Sequence, residues 1–132
     1  GANSSLFVLN ENTVREYKGD KKSVGAIRTS REFQFSTEVI QNPKGMFVML
    51  TDGVTDVMNE NIRPVAFGRK RLIRLLEQLG TKDPKYLVSK VMEAVDEYKG
   101  ATPLRDDLTL LAFFIENLSA AKVADFRLAS ND

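Results

Sequence analysis

The chain has 132 residues, of which 42% are hydrophobic, so it is long enough to form one domain with a real core. Its 19 Lys and Arg residues against 18 Asp and Glu give a net charge of +1, which offers no reason to expect nucleic acid or an anionic membrane as the main partner. The sequence contains neither Cys nor His, which excludes thiol nucleophiles, zinc–thiolate sites and His-dependent triads. Any catalysis must therefore use carboxylates, hydroxyls, Lys or Arg, or a metal ion held by oxygen atoms.

The first third of the chain predicts β-strands. Residues 6–9 and 14–17 are short segments on either side of a polar turn, which is typical of a hairpin. Between residues 33 and 39 apolar and polar side chains alternate, the period of a half-buried strand. We therefore expect Phe33 and Phe35 to belong to the core rather than to a recognition surface.

Two amphipathic helices are predicted in the second half. The first follows Gly68 and ends at Gly80, and its apolar stripe is Leu72, Leu75, Leu76 and Leu79. The second starts at Asp83, an N-cap residue followed by proline, and its stripe is Leu87, Val91, Ala94, Val95 and Tyr98. A basic cluster on the first helix predicts a solvated helix face and consists of Arg69, Lys70, Arg71 and Arg74.

Residues 46–50, which are continuously apolar, and the largely apolar residues 108–115 predict strands that are buried on both faces. Strands followed by two helices and a last strand indicate an α+β fold in which helices cover one face of a sheet. Since only one helical layer is encoded, we expect the other apolar face of the sheet to be exposed unless something else packs there. Residues 119–132 predict a weak terminal helix or a tail.

Acidic residues stand at the ends of these two apolar strands. Asp52 directly follows the first strand, whereas Asp106 and Asp107 directly precede the second. If the strands are antiparallel neighbours, the carboxylates meet at one edge of the sheet, where they repel each other unless they share a cation. Oxygen ligands favour Mg²⁺ or Mn²⁺ over zinc. The alternative is that these residues are ordinary turn and cap residues of an unrelated α/β domain.

The amino-acid sequences of the two acidic segments are more specific evidence than their positions at strand ends. The first reads Leu50-Thr51-Asp52-Gly53-Val54-Thr55-Asp56 and the second Arg105-Asp106-Asp107-Leu108-Thr109. In order and spacing they resemble the protein phosphatase 2C-like (PPM) serine/threonine phosphatases, and the bacterial SpoIIE-type branch most closely. The opening Gly1-Ala2-Asn3-Ser4-Ser5-Leu6 is similar to that branch's Gly-His-Asn-Pro-Pro-Leu segment, and the resemblance extends to Ile115.

The resemblance implies an αββα sandwich, two antiparallel sheets flanked by helices, of which this chain is about the C-terminal half. Residues 1–118 would be the C-terminal part of the catalytic domain and residues 119–132 a tail. The implied activity is hydrolysis of phosphoserine or phosphothreonine by a metal-bridging water with two Mn²⁺ or Mg²⁺ ions. The resemblance makes Asp52 and Asp106 metal ligands. It also implies that Gly53, Asp56 and Asp107 bind an additional metal ion or support the metal ligands.

One family element has no counterpart here, namely the early Asp-Gly-x-Gly motif whose Asp bridges both metals. We therefore expect that Asp upstream of Gly1 and expect the chain alone to be inactive. The resemblance implies a phosphorylated regulatory protein as substrate, such as an anti-sigma-factor antagonist, in the cytoplasm. It also implies an upstream sensory or membrane module and no nucleic-acid partner. Whether the chain forms a homodimer is left open. A pseudophosphatase or docking module of the same fold is the alternative function.

Overall fold

The computed structural model describes residues 4–24 and 33–116. In this part of the chain the strands form a sheet and the helices form a separate layer. The elements are β1 (Ser5–Asn10), β2 (Thr13–Lys18), β3 (Gly45–Leu50), α1 (Asp52–Thr55), α2 (Gly68–Leu79), α3 (Pro84–Lys99) and β4 (Leu110–Ile115). The predicted helices and four of the five predicted strands are thereby confirmed, although β4 begins at Leu110 rather than at residue 108.

The strands form one antiparallel sheet in the order β2-β1-β3-β4. β1 and β2 are the predicted hairpin, with Asn10 opposite Thr13 across the turn. β3 lies between β1 and β4, and Leu50 at its end is paired with Leu110 at the start of β4. The condition for bringing the acidic segments together, that their strands are antiparallel neighbours, is therefore met.

Local signals in the sequence fix the ends of the two long helices. The carboxylate of Asp83 accepts hydrogen bonds from the backbone N–H groups of Lys85 (2.9 Å) and Tyr86 (3.3 Å), as an N-cap does. Gly80 ends α2 in the left-handed conformation with φ +47°, and its N–H donates to the carbonyl of Leu76. Both helix ends are confirmed as the sequence predicts them.

The core lies between one face of the sheet and the helices α2 and α3. Its residues come from β1, β3 and the helices, and they combine the predicted helical stripes with every second residue of the strands. They are Phe7, Leu9, Met46, Val48, Val54, Val57, Phe67, Leu72, Leu76, Leu87, Val91 and Val95. This arrangement is the α+β class predicted from the sequence.

The opposite face of the sheet is apolar and partly open. Met49, Leu111 and Phe113 point to it and keep 42%, 54% and 38% of their surface exposed. Phe113 stacks on Phe47 of the neighbouring strand, with ring centroids 5.3 Å apart. The prediction of burial on both faces is confirmed for residues 45–48 of β3, which are all buried, and is wrong for Met49 and for β4, where Leu111 and Phe113 are exposed. The expected exposed apolar face is confirmed.

Residues 33–39 do not form the predicted strand. Phe33 and Phe35 pack edge-to-face on each other at 5.1 Å, and Phe35 is exposed rather than part of the core. The reason is the hydrogen bonding of this segment: the N–H of Ser36 donates to the carboxylate of Asp20 (2.8 Å) instead of to a neighbouring strand. Alternation in the sequence was therefore insufficient, and this segment pairs with none of the described strands.

Two expectations fall on parts of the chain that the structure leaves undescribed. The tail at 119–132 and residues 1–3 of the opening segment lie outside the described residues. Within residues 4–24 and 33–116, no helix is both long and apolar enough to cross a membrane.

Candidate metal centre

Thr51 connects the end of β3 to the segment that leads into β4. Its backbone N–H donates to the carbonyl of Thr109 at 3.0 Å. Its hydroxyl donates to the carbonyl of Asp107 at 3.1 Å and accepts the N–H of Thr109 at 3.0 Å. A hydroxyl can donate and accept at once, so a single side chain satisfies two backbone groups of the neighbouring segment. The acidic segments are thus held side by side.

Gly53 brings the same two segments into direct contact. Its backbone is buried, and a Cβ atom placed on it would collide with the carbonyl oxygen of Asp107. The close approach therefore requires glycine at this position, whatever its φ. The structure places Gly53 as a spacer between the two acidic segments.

Asp52 opens the short helix α1 instead of a plain turn. Its carbonyl accepts the N–H of Asp56 (2.8 Å) and the hydroxyl of Thr55 (3.1 Å), which fixes the backbone of this turn. Within the described residues the exposed carboxylate of Asp52 has no hydrogen-bond or ion-pair partner, and neither has that of Asp56. Both carboxylates are therefore free to bind a ligand.

Asp106 and Asp107 play different local roles. The Oδ1 atom of Asp106 accepts the N–H of Asp107 at 2.8 Å, which shapes the turn before β4. Asp107 contributes its carbonyl to the contact with Thr51, whereas its carboxylate has no partner among the described residues. The interpretation of Asp106 as the ligand and Asp107 as a supporting residue stays a prediction.

An open cleft of about 460 Å³ lies beside α1, and it contains the part of the candidate site that Asp52 and Asp56 form. It is bounded by the start of β1, the end of β3, α1 and the start of α2. The lining residues are Ser4, Ser5, Phe7, Leu50, Thr51, Asp52, Thr55, Asp56, Ala66, Gly68 and Arg69. The structure thus brings Asp52 and Asp56 to the cleft, while Asp106 and Asp107 adjoin it through the backbone contacts of Thr51 and do not line it.

The donor atoms suit a hard cation, but the ligand set is incomplete in this chain. Carboxylate oxygens without imidazole or thiolate are the donors that Mg²⁺ and Mn²⁺ prefer. In the part of the chain that the structure describes, no three acidic side chains converge closely enough to hold a metal ion by themselves. The residues therefore fit the implied ions in kind and leave further ligands to be supplied.

Two residues of the connector between α1 and α2 line the cleft, Asp56 at its start and Ala66 near its end. Asn59 closes the loop between them, since its side chain accepts the N–H of Val65 at 2.9 Å and its own N–H donates to the carbonyl of Val65. The Tyr98 hydroxyl donates to the carbonyls of Val65 (3.0 Å) and Ala66 (3.3 Å). These hydrogen bonds hold the end of the connector at the cleft.

The predicted solvated helix face is confirmed, since all four basic residues are exposed, but two of them also make contacts. Arg71 donates to the carbonyls of Ala66 and Phe67, and its guanidinium lies over the ring of Tyr98 at 5.0 Å. Arg69 lines the cleft and contacts Glu16 at 3.1 Å. Lys70 and Arg74 are exposed as predicted.

Sequence reasoning missed Arg69 and Glu16 as residues of the cleft. Helical periodicity gave no signal, because it identifies the apolar stripe and assigns charged residues to solvent. One signal was available: Glu16 shares a strand face with Val14, which packs against the core. A charged residue on an inward face requires a partner, and Arg69 is that partner.

The fold and the cleft define a protein phosphatase 2C-type domain. The chain resembles a solved structure described as the SiaA-PP2C domain of Pseudomonas aeruginosa, with a TM-score of 0.75 and 25% sequence identity. The match covers 88% of this chain and 44% of that one, so this chain spans less than half the length of its solved relative. A search of curated proteins found no match.

The family model described as Stage II sporulation protein E (SpoIIE) matches residues 1–115. The chain therefore belongs to the SpoIIE family and is a PPM-type, SpoIIE-like phosphatase domain. This result excludes the alternative of an unrelated α/β domain whose Asp residues serve only as turn residues.

Proposed function

We propose that the chain carries the C-terminal, metal-binding part of a protein serine/threonine phosphatase that uses Mn²⁺ or Mg²⁺. Asp52 and Asp106 are the proposed metal ligands, with Gly53, Asp56 and Asp107 supporting them or an additional ion. The observation that supports this assignment best is the set of three hydrogen bonds made by Thr51, which holds the turn of Asp52 against residues 107–109.

The residues of this chain would position the cations and the substrate. When bound, two divalent cations lower the pKa of a water molecule and offset negative charge on the phosphoryl oxygens. Asp52 reaches the cleft from a turn whose backbone is fixed by two hydrogen bonds, so the position of its backbone at the cleft is set before an ion binds. The bridging Asp of the family is proposed to come from sequence outside this chain.

The proposed substrate is phosphoserine or phosphothreonine on a regulatory protein, such as an anti-sigma-factor antagonist in bacterial signalling. Support comes from membership of the SpoIIE family and from the likeness to a PP2C domain. A sensory or membrane module upstream of the catalytic domain is part of the same proposal.

A non-catalytic docking module of the same fold is the second candidate. It is favoured by one observation: among residues 4–24 and 33–116 no group of three acidic side chains could hold a metal ion. The two candidates differ in whether the complete domain hydrolyses phosphomonoesters.

The test uses a protein that carries the complete catalytic domain. Asp52→Asn and Asp106→Asn should each abolish Mn²⁺-dependent turnover of p-nitrophenyl phosphate and of a phosphoserine protein, because each removes a charged ligand at nearly constant volume. Asp107→Asn should have a milder effect. Circular dichroism would show that the folds are intact. Full activity of the Asp52→Asn variant would contradict the ligand assignment, and equal loss in all three variants would contradict the division of roles.

A further inference from the structure

We propose that Arg69 binds the phosphoryl group of the substrate in the cleft, an inference that rests on the proposed phosphatase function. Among the described residues that line the cleft, Arg69 is the only basic one, and it shares that cleft with Asp52 and Asp56. The ligand class is a phosphate monoester dianion, and inorganic phosphate is its simplest representative.

Charge is the first argument. A phosphate dianion entering the cleft meets the carboxylates of Asp52 and Asp56, which repel it. Bound cations would offset those carboxylates, but a positive group on the protein is still needed to attract and orient the phosphoryl oxygens from another side. Arg69 supplies that group from the first turn of α2.

The position of the guanidinium is the second argument. One amino group of Arg69, Nη1, donates to Oε1 of Glu16 at 3.1 Å. Glu16 is itself nearly enclosed, with 11% of its side chain exposed, and it also accepts the hydroxyl of Ser5 at 2.8 Å. Ser5 and Arg69 both line the cleft, so Glu16 supports two cleft residues from behind. The arginine side chain is thereby held in place before a ligand binds.

The remaining donors of Arg69 are the third argument. Half of its side chain is exposed (52%), and within the described residues neither Nε nor Nη2 makes a hydrogen bond. A guanidinium has five N–H donors in a planar fork that matches two oxygens of a phosphate.

The experiment measures phosphate binding and turnover separately in the complete, Mn²⁺-loaded catalytic domain. Inorganic phosphate is titrated by isothermal calorimetry, and p-nitrophenyl phosphate is used for kinetics. Arg69→Gln should weaken phosphate binding by about 10- to 100-fold and raise KM more than it lowers kcat. Lys70→Gln is the matched control, since it removes the same charge from the adjacent exposed residue and should bind phosphate as the wild type does.

Two further variants keep the result decisive. Arg69→Lys retains the charge and should restore part of the affinity but not all of it, because an ammonium lacks the planar fork. It also provides the measurement if Arg69→Gln fails to fold. Glu16→Gln should weaken phosphate binding less than Arg69→Gln, because it loosens the support and leaves the arginine present.

The outcomes separate this inference from the proposed function. Phosphate affinity that is equal in Arg69→Gln and Lys70→Gln overturns the role of Arg69, and so does a wild-type domain that binds no phosphate. A wild-type domain that binds phosphate through Arg69 and yet shows no turnover supports the role of Arg69 and contradicts the enzyme assignment.

Discussion

The two faces of the sheet are made by the same strands and differ in what covers them. On one face Met46 and Val48 are fully buried beneath α2 and α3. On the other face Met49 of the same strand is 42% exposed, and Leu111 and Phe113 of β4 are exposed with it. Polar residues would be expected on a face that remains in water. The apolar second face is instead typical of a sheet that has other structure packed on both of its faces.

This difference agrees with the length of the chain relative to its solved relative. The chain spans 44% of the SiaA-PP2C domain chain that it matches. The face covered by helices is complete within the present residues, and the open face is where further structure would pack. We therefore expect substitutions on the covered face and on the open face to differ in their effects on stability and self-association.

The largest expected effect concerns the chain alone. Residues 1–132 should show no turnover of p-nitrophenyl phosphate with Mn²⁺, because the acidic ligands of the described part are too few, and should self-associate through the open face. Activity assays and light scattering measure the two outcomes. Replacing Leu111 and Phe113 by Lys should reduce the association, and the exposed Val39 replaced by Lys is a control. Robust turnover by a monomer would contradict this account.

A pair of leucine substitutions compares the faces directly. Leu76→Ala removes a fully buried side chain of the core and should lower the free energy of unfolding by about 2–5 kcal/mol. Leu111→Ala, on the open face, should cost less than about 1 kcal/mol in the isolated chain. Urea denaturation measures both. In the complete domain the cost of Leu111→Ala should rise towards that of Leu76→Ala, and an unchanged cost there would show that nothing packs on the open face.

The sequence predicted one face of the sheet better than the other. The stripe of Leu72 and Leu76 and the N-cap at Asp83 are local signals, set by helical period and backbone hydrogen bonding, and the structure confirms them. Whether β4 is covered on its second face depends on residues far away or outside the chain, so a run of apolar residues could not decide it. The predicted strand around Phe35 failed because a strand also depends on a distant partner, and this segment pairs with none of the described strands.

The candidate site was predictable in its acidic residues and not in its supporting ones. Asp52 and Asp106 stand at strand ends in recognisable motifs. The role of Thr51 depends on hydrogen bonds to Asp107 and Thr109, more than 50 positions away in sequence, and that of Arg69 depends on Glu16 of another strand. Such contacts follow only from the tertiary fold.

A smaller loss of stability is expected at the contact between the end of β3 and the segment before β4, which belongs to neither face alone. Thr51→Val keeps the shape of the side chain and removes its two hydroxyl hydrogen bonds, so it should lower the free energy of unfolding by about 1 kcal/mol or somewhat more. The N–H of Thr109 should also exchange faster with solvent. Thr51→Ser should restore slow exchange, and Thr13→Val at the far end of the sheet is the control. Equal exchange in Thr51→Val and wild type would show that the hydroxyl does not hold the segments together.

The central claim is that the turn of Asp52 and the segment at residues 105–109 form one metal site. Addition of Mn²⁺ below one equivalent to the ¹⁵N-labelled chain tests it most directly, since the ion broadens the NMR signals of nearby amides. Signals of residues 52–56 and 105–109 should weaken together, those around Thr13 and Gly80 should persist, and Asp52→Asn should abolish the effect on both segments. Broadening of only one segment, or broadening that is unchanged in Asp52→Asn, would contradict the account.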